Sequence, residues 1–188
     1  MDQMRNRTIM TDFPYPCLTP EDEAIFKLFP INLTRMMLHT QGVTVPYLKF
    51  SGAFRKAKIS PMVRERVIVR VGAATGCEYE LLQHHPEVLR TGTSEALFSS
   101  ITDPSYHDFD DPALAALMAY VDSVVHDLGA REETLSALRE HFPDNEVAEI
   151  TLLAAQYLMT AVFIASLGVP LDAAPPDWSA AEVTMKDA

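Results

Sequence analysis

Apolar residues recur along most of this chain at steps of three and four, the spacing that places side chains on one face of an α-helix. The clearest stripe comprises Leu114, Leu117, Met118, Val121, Val124, Val125 and Leu128. No alternating apolar and polar run is long enough for a strand, and the Asn-Gly and Asp-Gly pairs of tight hairpins are absent. The pattern predicts an all-α fold with helices near residues 20–28, 32–40, 46–56, 61–72, 76–91, 94–101, 112–128, 131–141 and 145–167.

Polar residues beside these stripes mark where helices begin and end. A capping residue precedes proline at Thr19-Pro20, Ser60-Pro61 and Asp111-Pro112. The cap oxygen can accept a free N–H of the first turn, and proline at the first position loses no hydrogen bond. Gly92, Gly129 and Gly168 follow three predicted helices, and we expect them to adopt the left-handed conformation there.

The 188 residues are enough for one domain. We predict an N-terminal arm over residues 1–18, a helical domain over 19–172 and an extended C-terminal tail over 173–188, which Trp178 could pin to the body or to a neighbouring subunit. Ile150 to Leu171 contains no charged residue. Its polar residues favour a helix buried on nearly all sides, in a bundle or in a subunit interface, over a membrane span.

Charge and cysteine content narrow the function. With 15 Lys+Arg against 26 Asp+Glu, the formal net charge is −11, which argues against nucleic acid and anionic membranes as partners. Two cysteines, Cys17 and Cys77, make no disulfide framework, and the N-terminus has no apolar signal core, so we expect a cytoplasmic protein. One short basic stretch (Lys49, Arg55, Lys56 and Lys58) is typical of a solvated helix end, although it could also attract an anionic substrate.

The segment from Arg64 to Arg90 carries the candidate chemistry. Thr75-Gly76-Cys77-Glu78 matches a capping box, which predicts a helix start at Gly76 with Cys77 in its first turn. The N–H groups and dipole at a helix start stabilise an anion, so we expect a lowered thiol pKa at Cys77.

Three reactive side chains share one face of that predicted helix. At about 100° per residue, Glu80 and His84 lie on the same side as Cys77. Leu81 and Val88 flank this face and would supply apolar walls. Glu65, on the preceding apolar helix, would need a partner if buried. Thiol, carboxylate and imidazole together suit acid–base chemistry, whereas a Glu–His pair on an exposed helix is only a solvated face.

These residues resemble a known superfamily. The spacing of Glu65, Cys77, Glu80 and His84 is similar to the Glu…Cys-x-x-Cys-x-x-x-His signature of the alkylhydroperoxidase D-like (AhpD-like) and carboxymuconolactone decarboxylase-like proteins. Further similar segments are Asn32-Leu33-Thr34-Arg35, Cys77-Glu78-Tyr79-Glu80, Gln83-His84, Ala119-Tyr120-Val121-Asp122 and Leu167-Gly168-Val169-Pro170-Leu171-Asp172. The resemblance implies an AhpD-like helical bundle and a homo-oligomer, a trimer or hexamer with a dimer possible. It also implies a pocket near subunit contacts that holds the Glu, the His and the Cys or its substitute.

The sequence departs from the peroxidase branch in two places. Glu80 stands where that branch has its second cysteine, and a two-cysteine cycle needs a resolving thiol close by. Cys17, beside Pro16, is the only other thiol. Leu158 and Val162 follow Tyr157 where relatives often have Asn and Arg, so an anion-binding arginine is absent there.

The leading hypothesis is a cofactor-independent acid–base enzyme, a decarboxylase or other lyase, dehydratase or isomerase, acting on a small organic acid, lactone or related carbonyl compound. His84 would move the proton, Glu80 would be the second acid/base with a raised pKa, and Glu65 would orient His84. Cys77 would bind an oxyanion or act as nucleophile, and Tyr79 and His85 are outer substrate-binding candidates. Three alternatives stay open: a thiol peroxidase using Cys77, a metal-assisted enzyme with Glu65, Glu80 and His84 as ligands, and a binding protein with a decayed site.

Overall fold

The computed structural model describes residues 13–175, and all regular structure in that range is helical. The α-helices are α1 (Pro20–Leu28), α2 (Asn32–Met37), α3 (Thr44–Ala53), α4 (Pro61–Thr75), α5 (Glu78–Arg90), α6 (Glu95–Thr102), α7 (Pro112–Asp127), α8 (Glu132–Arg139) and α9 (Asp144–Leu167). Two 3₁₀ segments, Leu38–Val43 and Phe54–Lys56, flank α3. The all-α prediction is confirmed. Residues 1–12 and 176–188, including Trp178 and most of the predicted arm and tail, lie outside the described residues.

Helix α4 is the central element of the bundle. It packs against α5, α6, α7 and α9. Its apolar positions Val67, Val69 and Val71 are fully buried in the main core, which α7 and α9 complete. Because α4 is covered on several sides, its charged residues Glu65 and Arg70 are buried as well. Buried charges need hydrogen-bonding or charged partners, and the partners of Glu65 lie at the candidate functional site.

The three helix starts predicted from a capping residue before proline are confirmed. The side chains of Thr19, Ser60 and Asp111 each accept a backbone N–H of the first turn, with proline at the start of the helix in each case. The prediction for Gly129 is wrong, because Leu128 takes the left-handed conformation at φ 55° one residue earlier. Gly168 ends α9 with φ 61°, as expected.

Two predicted helices are shorter than expected and pass into 3₁₀ turns. The helix expected over 32–40 leaves α-geometry after Met37, and the one expected over 46–56 does so after Ala53. The backbone at Gln41 has φ 48°, which breaks the helical path between α2 and α3. This irregular stretch separates α2 from α3, which would otherwise continue as one helix.

Helix α9 is less covered than its sequence suggests. Within residues 13–175 it is the one helix long and apolar enough to cross a membrane, with a mean hydropathy of 1.8, although the core helix of a soluble protein passes the same test. One side of α9 packs on α4, α7 and α8. The other side is open, since Leu152, Met159 and Val162 are each more than half exposed. Within the single chain α9 is therefore buried on one side only, and burial on nearly all sides would require a subunit interface.

Candidate functional site

A cavity of about 690 Å³ lies where α2, α3 and the second 3₁₀ segment cover α4, α5 and α9. This volume is within the usual range for small-molecule sites. Its apolar lining includes Phe29, Ile31, Leu33, Leu48, Phe54, Ile68 and Leu153. Its polar lining includes Thr34, Tyr47, Ser51, Glu65, Tyr79, Glu80, Gln83, His84 and Tyr157. Apolar atoms supply most of the cavity surface although polar residues are the more numerous. An apolar cavity surface with convergent polar groups is the usual form of an active site.

Two glycines bring α5 against α4. Gly76 ends α4 in the left-handed conformation at φ 68°, which reverses the chain within two residues. Gly72 permits close packing, because a Cβ placed there would lie 3.1 Å from Leu81 Cδ2 and 3.3 Å from Glu80 Cβ. The predicted capping box is wrong: the Thr75 hydroxyl bonds the Val71 carbonyl within α4, and α5 begins at Glu78.

The close packing of α4, α5 and α9 assembles a polar chain on the cavity wall. His84 Nδ1 lies 2.8 Å from Glu65 Oε2, and Arg64 Nε donates to Glu65 Oε1 at 2.9 Å. On the other side of the imidazole, His84 Nε2 lies 3.2 Å from the Tyr157 hydroxyl and 3.6 Å from Glu80 Oε2. Glu80 is only 3% exposed, and its Oε1 atom has no hydrogen-bond partner.

Burial and charge set opposite protonation states for the two carboxyl groups. Burial would raise the pKa of Glu65, but the hydrogen bond and charge of His84, with Arg64, outweigh it and lower that pKa. Burial likewise opposes the charged imidazole, yet Glu65 and then Glu80 raise the pKa of His84. Glu80 has no comparable donor, so burial raises its pKa to about 7 despite the nearby His84. These shifts favour the Glu65 carboxylate and the charged form of the His84 imidazole, while Glu80, with a pKa of about 7, is about half titrated at neutral pH.

Cys77 lies apart from this chain. It is the residue that precedes α5, not a first-turn residue, and it packs in a second apolar cluster with Ile31, Met36 and Ile164. Cys77 is not among the residues that line the cavity. Burial, and next the charge of Glu80, raises the pKa of its thiol to about 12. The expected lowered pKa is therefore wrong, because desolvation outweighs the backbone N–H groups of Tyr79 and Glu80.

The predicted outer residues divide between the cavity and its back. Tyr79 lines the cavity, but its hydroxyl is engaged by Asp172 at 2.5 Å and by the Leu33 N–H at 3.1 Å. His85 lies outside the cavity, where it contacts Glu95 and the Phe98 ring.

Leu81 and Val88 do not form walls of the site. Val88 is fully buried in the main core, and Leu81 packs against that core beside Gly72. Neither residue lines the cavity. The prediction for these two walls is wrong, because the apolar side of the cavity comes from α2, α3 and α9 instead.

Known protein families and curated proteins give no match to this chain. Solved structures do match. An uncharacterized peroxidase-related protein from Ralstonia eutropha JMP134, described as an alkylhydroperoxidase AhpD core, aligns with TM-score 0.72 and 18% identity over 86% of this chain and 92% of its own. The debrominase Bmp8 aligns with TM-score 0.72 and 16% identity over 95% and 98% of the two chains. This chain has an AhpD-like fold.

The predicted fold family is confirmed by these structures. A putative AhpD antioxidant defence protein from Agrobacterium tumefaciens matches as well, with TM-score 0.64 and 17% identity over 69% of this chain and 90% of its own. Sequence identities below 20% to these structures show a shared fold alone. The chemistry of this chain follows from its own residues.

The sequence does not predict the roles of two residues, Tyr157 and Asp172, although Asp172 lies in a segment that resembles the superfamily. Tyr157 is predicted only as an apolar-helix residue, yet it reaches His84 from α9. Asp172 ties the cavity wall together, accepting from Gln83 Nε2 at 2.8 Å and from the Asn32 backbone N–H at 2.9 Å. All three contacts join residues more than 70 positions apart in the sequence, so local spacing could not predict them.

The metal hypothesis has no preformed ligand set in the AhpD-like bundle. Within residues 13–175, no group of three or more His, Cys, Asp or Glu side chains is arranged to hold a metal ion. His84 directs Nδ1 at Glu65 and Nε2 at Tyr157 and Glu80. Glu65 is also committed to Arg64. Both imidazole nitrogens of His84 therefore lie against protein groups.

Proposed function

We propose that this protein is a cofactor-independent acid–base enzyme that moves a proton at carbon next to a carbonyl group. The substrates would be small organic acids, lactones or related carbonyl compounds, in a decarboxylation, dehydration or isomerisation. One observation carries the proposal: Glu80, with a pKa near 7 and an unpartnered Oε1, lies on the cavity wall beside a Glu65–His84 pair. A general base is most effective when its pKa is near the working pH.

The proposed step has a simple balance. The Glu80 carboxylate takes a proton from the carbon beside the carbonyl, and the electron pair of that C–H bond moves to the carbonyl oxygen as an enolate. His84, held as imidazolium by Glu65, donates Nε2–H to Tyr157, whose own O–H can then donate to the enolate oxygen. Glu80 returns its proton to carbon to complete an isomerisation. In a decarboxylation the C–C bond breaks first, and Glu80 protonates the resulting enolate.

Solvent exchange tests this step without knowledge of the natural substrate. The purified protein is mixed in D₂O with a panel of oxo acids and lactones, and deuterium incorporation beside the carbonyl is followed by NMR. We expect catalysed exchange for the wild type. Glu80→Gln and His84→Asn should each lower the rate by roughly 10²–10⁴-fold, the usual contribution of a general acid or base.

The matched control is Glu78→Gln, an exposed carboxylate two residues earlier on the same helix. It should exchange at the wild-type rate, and all variants should keep the helical circular dichroism spectrum. Absence of wild-type exchange across the panel, or full activity in the Glu80 and His84 variants, would overturn the proposal.

Thiol chemistry is the second candidate. It is favoured by the similarity of the fold to peroxidase-related proteins and to the debrominase Bmp8, whose cysteine-to-alanine variant was solved with 2,3,4-tribromopyrrole. In this chain the burial and raised pKa of Cys77 oppose it. Cys77→Ser distinguishes the two candidates. Acid–base chemistry predicts that this variant retains deuterium exchange. Thiol chemistry predicts that the wild type consumes peroxide and that Cys77→Ser does not.

We also propose that the chain forms a homo-oligomer through the open side of α9. The exposed apolar residues there are Ala148, Leu152, Ala155, Met159 and Val162. Contiguous exposed apolar surface of this kind is typical of a subunit interface. Light scattering should give a multiple of the chain mass for the wild type, and Leu152→Glu with Met159→Glu should shift it toward the monomer.

A further inference from the structure

Two residues that line the cavity, Thr34 and Glu80, each carry a buried polar atom without a protein hydrogen-bond partner. Thr34 is fully buried on α2 and its Oγ1 makes no hydrogen bond, and Glu80 Oε1 on α5 is in the same state. Both residues line the cavity, one on each side of it. An unpaired buried polar atom is costly, so groups of this kind usually have a partner in the working state of a protein. A ligand that brings hydrogen-bonding oxygen to this depth would supply it.

The charge around the cavity is opposite to that of the protein as a whole. The full chain has 15 basic against 26 acidic residues. Four basic residues line the cavity (Lys49, Arg55, Lys56 and Arg64) against three acidic ones (Glu65, Glu80 and Glu87).

The basic lining residues also differ in place. Lys49, Arg55 and Lys56 are exposed, all from α3 and the 3₁₀ segment that follows it, whereas Arg64 is largely buried against Glu65. A basic rim on an acidic protein attracts and orients anions while the rest of the surface repels them.

The walls between rim and depth are apolar. Phe29, Ile31 and Leu33 come from the chain before and within α2, while Phe54, Ile68 and Leu153 come from the second 3₁₀ segment, α4 and α9. A small hydrophilic di-acid would leave these walls in contact with water. A longer apolar body would cover them and gain free energy in proportion to the area removed from water.

We propose that the cavity binds an amphipathic carboxylate whose negative group lies at the Lys49–Arg55–Lys56 rim, whose apolar body contacts the α2 and α9 walls, and whose carbonyl oxygen reaches Thr34 and Glu80. This assignment deepens the proposed function, on which it rests, by naming the class of acid. It also gives the basic stretch a role at the mouth of the site.

Equilibrium binding tests the assignment with unreactive probes. Calorimetry compares 4-phenylbutanoate with its neutral amide and its amine analogue, which share the apolar body and differ in charge. We expect the carboxylate to bind about tenfold or more tightly than the amide, and the amine to bind weakest. Added salt should weaken the carboxylate and leave the amide unchanged.

Rim and depth are then tested by separate variants. Lys56→Gln should weaken 4-phenylbutanoate about two- to fivefold, as expected for one exposed charge. The matched control Lys27→Gln, an exposed lysine on α1 away from the cavity, should have no effect. Addition of a carbonyl beyond the ring, in 4-(4-acetylphenyl)butanoate, should improve binding to the wild type, and this gain should be lost in Thr34→Val, which keeps the shape of the side chain.

The outcomes separate this assignment from the acid–base proposal. Equal binding of carboxylate and amide, or an identical effect of Lys56→Gln and Lys27→Gln, overturns the amphipathic carboxylate. A carbonyl gain that persists in Thr34→Val overturns the depth contact. Because 4-phenylbutanoate binding needs no turnover, absence of deuterium exchange in the wild type would overturn the acid–base proposal and leave the binding result intact.

Discussion

Helix α4 carries two buried charged residues, Arg70 and Glu65, and their surroundings differ. The Arg70 guanidinium donates to both carboxylate oxygens of Asp122, at 2.7 and 2.5 Å, and to the carbonyls of Ile101 and Asp103 at 3.0 and 2.9 Å. The Glu65 group is also paired, but the chain it belongs to ends at Glu80, where Oε1 has no partner. One cluster is closed by protein atoms, and the other is open toward a cavity.

The difference separates structure from chemistry within one helix. The Arg70 cluster ties α4 to α7 and to the end of α6. None of its members lines the cavity beside Glu65, so its role is to hold these elements together. The Glu65–His84–Glu80 cluster keeps an acid in an apolar place, at a cost in folding free energy. Proteins retain such a cost where a ligand or a reaction uses the group.

The largest expected effect comes from opening the closed cluster. Arg70→Met leaves the Asp122 carboxylate and two carbonyls without their donor, and we expect the free energy of unfolding to fall by about 3–5 kcal/mol. Urea denaturation measures it. Arg66→Met, one turn earlier and bonded only to Thr93, is the control and should lose about 1 kcal/mol or less. Equal losses in the two variants would contradict a structural role specific to Arg70.

The open cluster should instead show its cost in the pH dependence of stability. The pKa of Glu80 rises from 4.5 to about 7 in the folded protein, so the folded state holds the proton longer than the unfolded chain. Stability from this group is therefore fully present below pH 4.5 and is lost as pH rises to about 7. At about 1.4 kcal/mol per unit, the loss is on the order of 3 kcal/mol.

Glu80→Gln removes this dependence, because glutamine does not titrate. The difference in unfolding free energy between this variant and the wild type should grow in favour of the variant from pH 4.5 to above 7 and then stay level. Denaturation at a series of pH values measures it. A difference that is constant with pH would show that Glu80 titrates normally in the folded protein.

The helical fold could be predicted from the sequence because its signals are local. The caps at Thr19, Ser60 and Asp111 and the three- and four-residue apolar steps each lie within one helix. The irregular turn around Gln41 could not be predicted in this way, since the positive φ falls on the glutamine and not on Gly42 beside it. Its conformation follows from how α2 and α3 pack on the rest of the bundle.

The candidate site could be predicted only where its members share a helix or a familiar spacing. Glu80 and His84 are one helical turn apart, and Glu65 follows from the resemblance. Tyr157 comes from the far end of the chain, and its meeting with His84 depends on tertiary packing. The sequence locates Cys77 at the start of α5, but the predicted lowering of its thiol pKa is wrong. The depth at which a side chain is buried cannot be predicted from its position at a helix start.

Tyr157 tests whether the open cluster works as a unit. Burial, and next the charge of Glu80, raises the pKa of Tyr157 well above its usual value, so its hydroxyl stays a neutral donor. Tyr157→Phe removes that donor from the enolate oxygen and should lower deuterium exchange about a hundredfold, as for one oxyanion donor. Its stability should change by about 1 kcal/mol. An unchanged exchange rate would remove Tyr157 from the proposed step.

Gly72 gives the finest test, because it acts on the open cluster through distance alone. Alanine at this position favours the helix by about 1 kcal/mol, while its Cβ would contact Glu80 Cβ at 3.3 Å and push α5 outward by a few tenths of an ångström. We expect the two effects to nearly cancel in the free energy of unfolding and the displacement of Glu80 to lower deuterium exchange about tenfold. Gly42→Ala, where an added Cβ meets nothing within 4 Å, is the control and should leave exchange unchanged. If Gly72→Ala loses stability but keeps its exchange rate, the close approach of α5 to α4 contributes to packing of the main core and not to the placement of Glu80.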